Sequence, residues 1–181
     1  MCVRSAAPGV RLRAVIELES ARLRLRPMTV EDAGFVHTLY NDPSFLQNIG
    51  DRGVRTVADA ESYIVNGPLA MYARLGFGLL LIERRSDGAA LGICGLLKRE
   101  GLDDPDLGFA LLPAHWGQGY AVEAAARVLR FGRETLGLPR VVAITTEQNL
   151  SSARVLEKIG MRFQRMVDIP NDDETLRLFA G

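Results

Sequence analysis

Residues Trp116 to Ala124 read Trp-Gly-Gln-Gly-Tyr-Ala-Val-Glu-Ala, and this stretch decides the fold. Gly117 and Gly119 stand between an apolar run and a helical pattern. Glycine tolerates positive φ and lets a ligand approach the backbone without meeting a Cβ. The first amides of the helix that follows have no intrahelical partner, and the helix dipole favours negative charge beside them. Trp116 to Ala121 is therefore expected to form a tight turn that holds phosphate groups. The spacing is neither the dinucleotide glycine fingerprint nor a Walker loop. Glycines at a strand–helix junction also serve purely structural ends, so the turn alone leaves the ligand open.

Downstream of the turn, Ala121, Val122, Ala125, Ala126, Leu129 and Leu136 recur at helical spacing, with Glu123, Arg127, Arg130 and Glu134 on the other face. Glu123 and Arg127 are spaced for an i,i+4 ion pair. Gly137-Leu138-Pro139 ends this helix, and Val141 to Thr145 is a β-branched strand. Ser151 to Ile159 reads as a helix, with Gly160 at a left-handed cap. Arg162 to Val167 and Thr175 to Phe179 read as a closing strand pair.

Upstream, Ala21 to Pro27 alternates Arg22, Arg24 and Arg26 with Leu23 and Leu25, the period of a half-buried strand. Thr29 with Asp32, and Thr56 with Asp59, are capping-box starts for two helices. Asn41-Asp42-Pro43 stops the first, Gly67-Pro68 breaks the second, and a short helical piece follows over Leu69 to Arg74. Phe45 to Arg55 carries no readable period. Phe77 to Glu83, Ala89 to Leu97 and Asp106 to Leu112 are apolar strand runs, the first two joined by the Ser86-Asp87-Gly88 turn as an antiparallel pair. The order predicts an α/β (α+β) fold with a mixed, mostly antiparallel central sheet flanked by helices.

The chain has 181 residues, 48% of them hydrophobic, and 22 basic residues balance 22 acidic ones. That fits one domain able to bury a core without metals or disulfides. Residues 18–181 are expected to form it, with 1–17 a flexible N-terminal extension. Zero net charge argues against a nucleic-acid surface, and no run is long enough to cross a membrane. Cys2 and Cys94 give neither a disulfide framework nor a metal cluster, so no metal and a cytoplasmic setting are expected. Monomer and homodimer both remain open.

A second segment, Glu147-Gln148-Asn149-Leu150-Ser151-Ser152, lies between a strand and a helix. Asn and Ser suit simple N-capping there. Taken together, the two segments carry a resemblance. Trp116 to Ala124 resembles the acyl-CoA loop of the GNAT acetyltransferase superfamily. Asn149-x-x-Ser152, followed by Val155-Leu156-Glu157-Lys158-Ile159-Gly160-Met161, resembles a segment of its RimJ/RimL-like branch, as does Arg24-Leu25-Arg26-Pro27 with Glu31-Asp32-Ala33. The likeness spans roughly Leu18 to Ala180. It departs at Trp116, where the superfamily pattern begins with Gln or Arg, at Met161, and at Leu156, where many members carry a proton-donating tyrosine.

The resemblance implies acetyl transfer from acetyl-CoA to a primary amine, either a protein N-terminus or a small molecule, by direct attack in a ternary complex. It implies that backbone amides around Leu111 and Leu112 bind the thioester oxygen and the pantetheine arm. Gly117, Gln118, Gly119, Tyr120 and Ala121 would hold the pyrophosphate, and a carboxylate substituted at Gly119 would face it. Asn149 would bond the pantetheine amide, and Ser152, otherwise a capping serine, would stabilise or protonate the leaving thiolate. Asp106 is the candidate base, although Glu100, Asp103 and Asp104 crowd the same loop and suggest a solvated acidic turn. That loop would also suit a cationic acceptor. His115, just before the glycine turn, could accept a proton, with packing or solvent exposure the plainer reading; His37 reads as a partly buried structural residue, and Arg154 and Lys158 as surface cations within reach of a 3′-phosphate. A non-catalytic acyl-CoA-binding module is the alternative that Leu156 admits, and another nucleotide-binding enzyme the one that the glycine turn alone admits.

Overall fold

The computed structural model describes residues 16–170 and 172–181. The strands are β1 (Leu18–Glu19), β2 (Leu23–Pro27), β3 (Leu79–Arg84), β4 (Ala90–Leu97), β5 (Asp106–Leu111), β6 (Val142–Thr145), β7 (Arg162–Val167) and β8 (Leu176–Ala180). The helices are α1 (Ala33–Tyr40), α2 (Pro43–Asn48), α3 (Val57–Ile64), α4 (Ala70–Leu75), α5 (Tyr120–Glu134) and α6 (Leu150–Lys158). The strands form one sheet in the order β1-β2-β3-β4-β5-β6-β8-β7. Every neighbouring pair is antiparallel except β5–β6.

The periods explain the layers. Leu23 and Leu25 of β2 are fully buried while Arg24 and Arg26 lie on the other face. Those arginines join Glu17, Asp32 and Glu83 in a bridge network. β3 is apolar from Leu79 to Ile82, and β4 along its whole length, because helices cover both faces of the sheet centre. On one face α5 and α6 pack Ala124, Val128, Leu129 and Leu156 against Leu80, Ile82 and Phe179. On the other, α1 to α3 pack Val36, Leu39, Ala60 and Ile64 against Leu79, Leu81 and Ile93. The box at Thr56 closes as expected, Asp59 Oδ2 accepting from the Thr56 amide and Thr56 Oγ1 from the Asp59 amide.

Several elements differ from expectation. Pro43 starts a helix as well as following the stop of α1, because the Asp42 carboxylate caps Ser44 and proline suits the first helical turn. Gly67-Pro68 does not break the chain into two helices. Val65–Leu69 widens into a π-turn that carries Pro68 and joins α3 to α4. A wider turn relieves the clash a proline ring makes with the carbonyl four residues back. Glu123 and Arg127 do not pair with each other: Glu123 bonds Ser20 and Arg22, and Arg127 Nε donates to the Glu19 carbonyl. Ile16 packs against the main core and Glu17 bonds Arg24, so the packed domain takes in two residues assigned to the extension. The rest of that extension, residues 1–15, lies outside the described residues. Among the described residues no helix is long and apolar enough to cross a membrane, and no side-chain cluster suits a metal ion.

Candidate active site

The sheet opens at one seam. β5 and β6 run parallel and pair only at Asp106↔Val142, where the Val142 amide donates to the Pro105 carbonyl. Beyond that rung they separate. The β4–β5 register tells which β5 amides face the opening. Gly92 opposes Leu111, and the Leu112 amide donates to the Leu91 carbonyl at 3.0 Å. Hydrogen-bonded and non-hydrogen-bonded pairs alternate along an antiparallel ladder. Leu112, Ala110 and Gly108 therefore turn their amides to β4, while Leu111 and Phe109 turn theirs toward the gap. This corrects one expectation: Leu112 cannot serve as an oxyanion donor because its N–H is already bonded within the sheet. The Leu111 amide is turned to the gap, as is that of Phe109, which only the register singles out.

A cleft of about 330 Å³ opens from this seam, within the size range of small-ligand sites. Phe109, Ala110 and Leu111 form its floor. One wall is the α2 segment through Ser44, Phe45, Asn48 and Ile49; the other is α6 through Asn149, Ser151, Ser152, Val155 and Lys158. His115 to Gly117 and Gly119 to Val122 form the mouth.

Gly117 and Gly119 adopt φ of 73° and 80°, the left-handed conformation the turn needs. Gly119 caps α5, and the first intrahelical bond runs from the Glu123 amide to the Gly119 carbonyl. The amides of Tyr120, Ala121 and Val122 therefore have no helical partner at the cleft mouth. Space around the two glycines differs. A Cβ on Gly117 meets nothing within 4 Å, whereas one on Gly119 points at Arg22 Nη2, 3.4 Å away. A carboxylate at Gly119 is therefore directed at Arg22, not at the cleft as expected. Gln118 is outside the lining: its side-chain amide donates to the Ala114 carbonyl and its own carbonyl accepts from Arg22 Nη1. Trp116 is 54% exposed, and its indole N–H donates to the Leu111 carbonyl at 2.9 Å.

Across the gap, Asn149 caps α6. Its Oδ1 accepts from the Ser152 amide at 3.0 Å and from the Ser151 hydroxyl at 2.9 Å. Capping thus commits the oxygen, while the Asn149 NH₂ has no hydrogen-bond partner among the described residues. Ser152 Oγ, in the lining, bonds no partner among the described residues. Leu156 points the other way, 1% exposed within the core, so its position does not face the cleft. Lys158 reaches the lining and Arg154 does not. His37 is half-buried and bonds the Arg55 carbonyl, a structural role.

Asp106 is not brought to the cleft. It is 1% exposed, ion-paired with Arg99, and its Oδ1 is buried without a hydrogen-bond partner. Burial lifts its carboxyl above the usual range, against the opposing pull of the Arg99 guanidinium. Glu100, Asp103 and Asp104 are absent from the lining as well. Lys98 draws that loop inward through the Leu102 and Asp103 carbonyls, and Arg140 bridges Asp104 at 3.4 Å. No carboxylate lines the cleft among the described residues. The base and the recognition of a cationic acceptor assigned to this loop are corrected on those grounds.

The opened sheet, with one helix start at its mouth and a second on its wall, is a mixed α/β architecture with its cleft at the seam. The chain belongs to the GNAT acetyltransferases, since the model of the acetyltransferase (GNAT) domain matches residues 22–162. It is 30% identical to the uncharacterized protein YkkB of Bacillus subtilis (strain 168), over 86% of this chain and 91% of that one. The crystal structure of the acetyltransferase from Agrobacterium tumefaciens str. C58 superposes with a TM-score of 0.80 at 27% identity, covering 97% and 99% of the two chains. RimL, the ribosomal L7/L12 alpha-N-protein acetyltransferase in complex with coenzyme A, shares the fold with a TM-score of 0.77 at 15% identity, covering 92% and 97%.

Proposed function

We propose that this protein is a RimJ/RimL-like N-acetyltransferase that moves an acetyl group from acetyl-CoA to a primary amine by direct attack within a ternary complex. The observation that carries this reading is the seam. The Phe109 and Leu111 amides face an open gap, with unpaired amides of α5 at one end and the free Asn149 amide on the opposite wall. A pantetheine arm has an extended shape and amide groups that match the β5 floor and the α6 wall, and its pyrophosphate matches the amides of Gly117 to Ala121.

The acceptor nitrogen must be neutral to attack the acetyl carbonyl carbon. The new C–N bond forms as the C–S bond breaks. Negative charge on the carbonyl oxygen is held by the Leu111 N–H, an oriented donor in a site partly closed to water. Ser152 Oγ donates a hydrogen bond to the departing thiolate, or gives it a proton that solvent at the open mouth restores to the hydroxyl. The proton lost by the amine passes to solvent at the open mouth, beside the His115 ring. The α2 wall, where Phe45 stacks on Tyr40 at 4.4 Å between ring centroids, faces the acceptor.

Release of CoA thiol from acetyl-CoA, measured across small amines and peptides with free N-termini, tests the reading and separates the acceptor classes. Acceptor-dependent release with a mass increase of one acetyl group on the amine is expected. Donor binding without release on either class of acceptor would overturn it.

A further inference from the structure

Glu123 raises an electrostatic problem. It lies in the first turn of α5, where a carboxylate alone would repel a pyrophosphate held on the same helix start. The chain solves this with a segment about a hundred residues earlier. Ser20 Oγ donates to Glu123 Oε1 at 2.7 Å, the Arg22 amide donates to the same oxygen at 2.8 Å, and Arg22 Nε donates to Oε2 at 2.7 Å. Arg22 also reaches past the carboxylate. Its Nη1 donates to the Gln118 carbonyl at 2.9 Å, and its guanidinium lies over the Tyr120 ring, 4.5 Å from the centroid. The link between β1–β2 and α5 thus grips both the carboxylate and the residue between the two turn glycines.

We infer that Arg22 is a positioning residue for the donor site: it cancels the Glu123 charge and holds the glycine turn in its phosphate-binding form. This inference rests on the proposed seating of the donor pyrophosphate at Gly117 to Ala121. Burial pushes the Glu123 carboxyl up, yet the Arg22 amide, the Ser20 hydroxyl and the Arg22 guanidinium together hold it below its usual range. The carboxylate is therefore charged whenever the donor binds, and removing Arg22 exposes that charge to the phosphates. Arg22 acts through Glu123 and Gln118, and no reacting atom meets it.

The test compares binding of acetyl-CoA with that of S-acetyl-pantetheine, which lacks the diphosphate and nucleotide, by calorimetry. Arg22→Ala is expected to weaken acetyl-CoA about tenfold, the size of a charge interaction at a partly exposed helix start. Affinity for S-acetyl-pantetheine should not change. Arg22→Gln places an amide donor where Nε stands, so it keeps a bond to Glu123 but sheds the charge and the reach to Gln118, and it should show the same selective loss with a melting curve close to wild type. The double variant R22A/E123Q should recover the share of the loss that comes from the unmatched anion, and the remainder measures the lost bond to the Gln118 carbonyl. Equal weakening of both ligands, unaltered acetyl-CoA affinity in Arg22→Gln, or no recovery in the double variant would overturn the inference. A wild-type protein that binds the two ligands equally would instead remove the phosphate seat on which the inference rests.

Discussion

The indole N–H of Trp116 donates to the carbonyl of Leu111 at 2.9 Å, tying the open edge of β5 to the glycine turn that follows it. Two parts of the proposed donor site, the Leu111 amide and the amides of Gly117 to Ala121, are thereby held at a fixed separation. Trp116→Phe keeps a ring and loses this bond. KM for acetyl-CoA should rise about fivefold, the worth of one neutral hydrogen bond of about 1 kcal/mol. An unchanged KM with a lowered melting temperature would make the bond structural only.

Gly117 offers a direct probe of the phosphate seat. Among non-glycine residues, Asn and Asp best tolerate the left-handed conformation it adopts, and nothing crowds its Cβ. Gly117→Asn should bind acetyl-CoA weakly or moderately less well than wild type. Gly117→Asp should lose a further factor of at least roughly a hundred, since like charges at 4 Å cost about 4 kcal/mol at an effective dielectric of 20. Equal affinities of the two variants, read by calorimetry, would place the phosphates elsewhere.

Asn149→Asp separates capping from ligand binding. Aspartate caps a helix as well as asparagine does, so thermal stability should hold, while loss of the NH₂ donor should raise KM for acetyl-CoA about tenfold. Asn149→Ala should lose both, with about 1 kcal/mol of stability. Matching kinetics for Asn149→Asp and wild type would confine Asn149 to its cap.

Ser152→Ala addresses the leaving thiolate. An interaction made only as C–S cleavage proceeds appears in kcat and not in binding. The expected result is a kcat about a hundredfold lower, within the range for one proton-transfer group, with dissociation of acetyl-CoA unaltered. A pure rise in KM would assign Ser152 to donor binding.

Asp106→Asn tests the exclusion of this buried acid from the chemistry. Burial raises the carboxyl in the folded chain, so the native state holds its proton more tightly than the unfolded state does. Stability should therefore fall as pH rises from the ordinary aspartate range through the raised folded value, and Asp106→Asn should flatten that decline in a pH series of melts. Turnover should largely survive. A loss of about a hundredfold or more, the effect of deleting a general base, would return Asp106 to the reaction.

Much of this architecture is local, and the sequence reports local physics well. The Leu23/Leu25 alternation, the Thr56–Asp59 box, the Asp87-Gly88 turn and the left-handed glycines 117, 119 and 160 each follow from a few neighbouring residues. What escaped was set at long range. Asp106 looks like part of an acidic loop until Arg99 and the sheet interior enclose it. Leu112 and Leu111 are indistinguishable as letters, and only the register with Gly92 decides which amide is free. Arg22 sits in a strand pattern that explains it fully until Glu123, 101 positions on, is seen to meet it. The π-turn at Pro68 was hidden for another reason: a proline in a helical pattern signals a stop, and a locally widened helix gives no sign of its own.

The single rung at Asp106 and Val142 also has a mechanical meaning. Five strands lie on one side of it and three on the other, so the sheet is two panels hinged at one end and bridged by the helices. A ligand lodged between the panels as proposed would supply the missing partners of Phe109 and Leu111 and act as a borrowed strand. Filling should then slow hydrogen exchange at those two amides and stiffen the panels together, and each product release should let them breathe apart again.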